Sequence, residues 1–117
     1  MIKVLIKKGR AYPKIFCDFC GELIDDPTTA NVVWKSSVDE GTTEVYHVHV
    51  GKCDSSLEAK FSEPLAWDDL GKHVVKILTN LDLISIKENL SEDDDSPYDL
   101  SEVILILENI RSLNEYF

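Results

Sequence analysis

The sequence predicts an α+β chain, β-rich in its first half and helical in its second, and three observations carry that expectation. Apolar and polar residues alternate through residues 1–7 and 44–50, the period-two mark of a strand. Cys17 and Cys20 are answered downstream by His47, His49 and Cys53, a pattern that suits a metal ion better than a disulfide framework. Beyond residue 62 the apolar residues recur at helical spacing instead.

Taken in order, residues 1–7 set Ile2, Val4 and Ile6 against Lys3, Leu5 and Lys7, which predicts a strand. Gly9 and Pro13 punctuate the next stretch, and the apolar run at Ile15 and Phe16 is too short to predict a second strand. NVVWK (31–35) reads as a short strand, SSVDEGTT (36–43) as a hairpin loop around Gly41, and EVYHVHV (44–50) as the clearest strand. Ser55 and Glu58 have capping-box spacing, which predicts a helical turn or two over 56–61.

Trp67, Leu70, Val74, Ile77 or Leu78, and Leu81 predict a helix within 64–81, and 83–90 a further short one. SEDDDSP (91–97) reads as a solvated loop. A last helix comes after it, with Asp99 as N-cap, Glu102 at N3 and a staple between Tyr98 and Val103. Its apolar face, Val103, Ile106, Leu107, Ile110 and Leu113, is widened by Ile104 and Leu105. Such a helix is central to a bundle or covered by a partner. The expected division is a β-rich region over 1–61 and an acidic helical region over 62–117, packed together as one unit.

A chain of 117 residues buries a modest share of its surface, so a metal staple is useful to it. Its apolar runs are far shorter than a membrane span, and residues 1–4 do not open a secretory leader, which makes a cytoplasmic location the expectation. Three cysteines cannot all pair within one chain, and intracellular proteins seldom keep structural disulfides. The net charge of −10 is unevenly placed: residues 1–60 carry 8 Lys or Arg against 9 Asp or Glu, and residues 61–117 carry 4 against 13. Contact of the second half with nucleic-acid phosphates is disfavoured.

Cys17-Asp18-Phe19-Cys20-Gly21 has the form of a zinc knuckle, in which a tight turn aims two thiolates at one ion. The remaining donors come from His47, His49 and Cys53. The two histidines are two residues apart on a strand and share a face, so geometry leaves the choice between them open. Knuckle, hairpin and strand-to-helix corner outline a treble clef. A dithiol redox pair is the competing reading of Cys17 and Cys20, but it wants a helix start within a βαβ setting. His73 reads as a solvated residue of the predicted helix. Asp93, Asp94 and Asp95 lack the spacing of a calcium loop.

The pattern CDFCGELIDD…NVVW…HVGKCD, over about residues 17–54, resembles small bacterial and phage proteins with a treble-clef-like zinc domain, many of them uncharacterised. The resemblance implies one structural zinc held by Cys17, Cys20, His49 and Cys53. Four ligands close a tetrahedral shell and leave no position for water. The favoured expectation is therefore a non-catalytic regulatory or protein-interaction protein, meeting a protein partner or itself through the helical region, with no small-molecule substrate evident. A nucleic-acid-associated regulator is the alternative. It requires Lys7, Lys8, Arg10 and Lys14 to cluster on one exposed surface. A zinc-dependent hydrolase is the third reading, and it requires an open coordination position.

Overall fold

The first element forms as its alternation predicts, and so does a partner that the sequence does not announce. In the computed structural model, which describes residues 1–82 together with 85, 102, 105, 106, 108 and 109, β1 (Ile2–Lys7) pairs antiparallel with β2 (Arg10–Phe16). Lys8 and Gly9 join them with φ of 52° and 77°, the left-handed values that a two-residue type I′ hairpin turn requires.

Pro13 lies within β2, where the sequence pattern predicts a break. The amide of Phe16 donates to the Met1 carbonyl (2.7 Å), and the Met1 amino group donates to the Phe16 carbonyl (2.7 Å). Alternation along the ladder then makes Lys3–Lys14, Leu5–Tyr12 and Lys7–Arg10 the hydrogen-bonded pairs. Pro13 opposite Val4 falls in a non-hydrogen-bonded pair, so its missing N–H points away from β1. The other neighbour, β3 (Leu23–Ile24), reaches only Ile15 and Phe16. The proline breaks no bond of the ladder, which is the condition under which a strand tolerates it.

The second sheet has the order β5-β4-β6, with β4 (Ala30–Lys35) and β5 (Val45–His49) forming the expected hairpin. The core sits here. Ala30, Val32, Val33 and Val48 are buried, and His47 with them. A short turn, Pro27–Thr29, precedes β4, with the Asp26 carboxylate accepting from the Thr28 amide at 2.9 Å.

Two helical expectations change. Helix α1 (Lys52–Glu58) begins at Gly51 rather than after Ser55, and the capping carboxylate is Asp54, which accepts from the Gly51 amide at 3.1 Å. That earlier start places Cys53 in the first turn. The helix predicted within 64–81 is instead β6 (Leu65–Asp69) followed by α2 (Leu70–Thr79). The helical spacing from Leu70 onward is real. Upstream of it, pairing with the open edge of β4, Val33 against Trp67 and Lys35 against Leu65, overrides local periodicity.

The chain divides into compact units Met1–Gly71 and Lys72–Phe117, so β6 belongs with the first. In the second, residues 102, 105, 106, 108 and 109 are helical, and Leu105 and Ile106 are exposed. The expected cap at Asp99, the staple of Tyr98 with Val103, the loop 91–97 and, but for Ser85, the helix 83–90 lie outside the described residues. Among the described residues no helix is long and apolar enough to cross a membrane.

Candidate metal centre

Four donors drawn from three separate segments meet at the joint between the two sheets. Cys17 and Cys20 come from the turn that leaves β2, His49 from the last position of β5, and Cys53 from the first turn of α1. One donor atom from each lies within 4.8 Å of all the others. These are the residues that the sequence resemblance implies. Cys17 is buried, Cys20 exposed and Cys53 between the two.

The knuckle closes through local backbone bonds. The Gly21 amide donates to the Cys17 carbonyl at 2.9 Å, and Gly21 takes a φ of 77°, which a glycine adopts without steric cost. The amides of Phe19 and Cys20 both point at the Cys17 sulfur, at 3.4 Å each. Cys20 Sγ stands 3.5 Å from His49 Nδ1.

Register decides between the histidines. His47 and His49 share a face, as alternation requires, but His47 lies opposite Val32 and His49 opposite Ala30. His49, nearer the helix corner, joins the sulfurs. His47 instead turns Nδ1 to the Met1 amino group (3.2 Å) and towards Asp18 (3.7 Å). Asp18 also grips the strand itself: its amide donates to the His47 carbonyl, and its carboxylate accepts the His47 amide, at 2.7 Å each. Sequence reasoning passed over Asp18, because a middle position of a knuckle carries no signal of what its side chain will reach.

The thiols differ in their hold on protons. Burial pushes Cys17 up, but the backbone N–H groups of Cys20, His49 and Phe19, aided by the Cys20 thiol, outweigh it and bring it down to about 6. Cys53 is pushed up to about 11, by burial first and then by hydrogen bonding and negative charge at Cys17 and Cys20. Cys17 therefore carries thiolate charge at neutral pH, which a divalent cation would offset.

Elsewhere, a cleft of about 390 Å³ is lined by Asn31, Val33, Asp54, Ser55, Glu58, Leu65 and Trp67. None of the four donors lines it. Asp54 is held there by the Gly51 amide and by Asn31 Nδ2 at 3.2 Å. His73, expected to be solvated, is half-buried in α2. The basic residues Lys7, Lys8, Arg10 and Lys14 all lie exposed on the β1–β2 hairpin. No known protein family, curated protein or solved structure matched the chain.

Proposed function

We propose that this protein is a zinc-stabilised interaction protein, regulatory in role and without catalytic activity of its own. The observation that carries the reading is the convergence of Cys17, Cys20, His49 and Cys53 within 4.8 Å. Three soft sulfurs and one imidazole favour zinc over harder cations. In a tetrahedral site with Zn–S near 2.3 Å the sulfurs stand about 3.8 Å apart, so an ion would draw this set in only slightly. The order knuckle, hairpin, strand, helix supports the treble-clef-like description of the first unit. With four protein donors the shell is closed, which speaks against a zinc-activated water and hence against the hydrolase reading.

The interaction surface fits the second unit, where Leu105 and Ile106 are 58% and 56% exposed in an acidic setting. Such exposed apolar residues mark a contact for a protein partner or for a second copy.

Native mass spectrometry combined with metal analysis tests the reading in one experiment. The expected result is one zinc per chain. Folded, untreated protein without zinc would sink it. Cobalt substitution then examines the shell: a four-coordinate spectrum is expected, and a five-coordinate, water-bearing one would reopen the hydrolase reading. Leu105→Glu should abolish association and spare the fold. Unfolding of a protein already shown to be monomeric would make Leu105 ordinary core.

A further inference from the structure

The β1–β2 ribbon sorts its side chains by face. Lys3–Lys14, Leu5–Tyr12 and Lys7–Arg10 stand on one side, and Ile2–Ile15, Val4–Pro13 and Ile6–Ala11 on the other, because successive side chains alternate. Lys8 adds its charge at the turn. All five cations are exposed, and residues 1–17 contain no Asp or Glu. Among the described residues none of the five forms an ion pair; Lys3 alone has a ring contact, 5.4 Å from the centre of Phe16.

Like charges directly opposite each other weaken a strand pair. This ribbon does it twice, at Lys3–Lys14 and Lys7–Arg10, and an anion laid along the face reverses the cost. The two opposed pairs lie four residues apart on each strand, roughly 13–14 Å at strand rise. Within each hydrogen-bonded pair the Cα atoms are about 5.5 Å apart. Between the basic ends lie Leu5 and the ring of Tyr12, both half-buried. The order along the face is basic, aromatic, basic.

We infer that this face docks single-stranded nucleic acid, with phosphates on the two cationic pairs and a base stacked on Tyr12. Charge at both ends and a π-surface between is the recurring composition of single-strand binding surfaces. With its cations on phosphates and Tyr12 stacked on a base, this face makes contacts that carry no sequence information. The chain's net charge of −10 does not cancel the patch, since at physiological salt charges beyond about 8 Å are largely screened. This inference goes beyond the interaction reading above and does not depend on which metal the cysteines hold.

The test is fluorescence anisotropy of the full chain with a fluorescein-labelled oligothymidylate of about fifteen nucleotides, beside a duplex of the same length. Wild type should bind the single strand more tightly, with log affinity falling against log salt at a slope of about −2 to −3 for three or four phosphates. Lys7→Glu with Arg10→Glu should weaken binding by about ten-fold or more. Tyr12→Ala should weaken it by roughly five-fold or more, and Tyr12→Phe should restore it, since stacking needs only the ring. Ile6→Gln, on the opposite face, should change nothing.

No anisotropy change, equal binding by wild type and the double variant, or tighter binding of the duplex would overturn the proposal. So would displacement of the probe by polyglutamate as readily as by unlabelled oligonucleotide, an outcome that makes an acidic peptide the occupant. Metal content measured on every sample separates the two readings: wild type that binds the strand without zinc overturns only the zinc reading.

Discussion

The two sheets of the first unit are held together by different means. In the second sheet Val32 and Val48 are fully buried and Val33 nearly so, and strands on both edges of β4 cover it. In the first, no residue of β1 or β2 is buried, and Ile2, Val4 and Ile6 are 67%, 56% and 63% exposed. One sheet has four buried apolar residues on its strands. The other buries Ile24 of β3 alone among its strand residues, and relies on a ladder, a tight turn, and the cysteine knuckle at its end. An isolated two-stranded ribbon is marginal in water, so its order is borrowed from the knuckle and from the Asp18 clasp on β5. The general point is that a short cysteine turn can extend a fold into a surface that hydrophobic burial would not support.

Disrupting the knuckle should therefore produce the largest effect and divide the sheets. Cys17→Ala, or treatment with a chelator, is expected to cost roughly 5 kcal/mol or more, because metal binding is coupled to folding. Hydrogen exchange should show β1 and β2 amides losing protection before those of β4. Equal loss in both sheets would mean that the metal supports the whole unit. Between the histidines, His49→Ala should lose the metal, whereas His47→Ala should keep it and lose only the contacts with Asp18 and Met1.

Acidity sharpens the same contrast. In chelated protein the Cys17 thiol ionises near 6 when folded against 9.0 when free, so stability from this group is complete above 9 and lost as pH falls through 6. Cys53 acts in the opposite sense, remaining protonated to about 11 in the folded chain. Its contribution is complete below 9 and lost as pH rises towards 11. The thermal midpoint of the chelated protein is expected to peak near pH 9, and a flat profile from 6 to 11 would show that neither thiol feels its surroundings.

Core truncation compares the sheets directly. Val32→Ala should cost about 2 kcal/mol in chemical denaturation, while Val4→Ala on the exposed ribbon should stay within about 0.5 kcal/mol. A large loss at Val4 would reveal a covering surface over the ribbon. The smallest change concerns the turn. Gly9→Ala, at a φ of 77°, should cost about 1 kcal/mol, while Lys8→Asn should help slightly, since asparagine tolerates the left-handed region better. Both would be read from the thermal midpoint of intact protein.

How much was legible depended on the range of the interaction. Alternation and tight turns are local, so the first strand, the β4–β5 hairpin and the Cys17–Cys20 knuckle could be read from the chain itself. β2 and β6 could not. Pro13 looks like a break until the ladder shows that its nitrogen faces away from β1. LAWDD looks like the front of a helix until β4 offers it an open edge.

The same division holds at the site. By itself the sequence determined which residue types could hold a metal, that His47 and His49 must share a face, and that the cations of residues 3–14 are free of nearby acids in the chain. Only the tertiary structure decided which imidazole meets the sulfurs, that Asp18 takes the other, and that Lys3, Lys7, Arg10 and Lys14 share one face of a ribbon. The physical reason is register. A strand's alternation is written in its own residues, but which residue of another strand stands opposite is fixed by the turn between them and by where the chain returns.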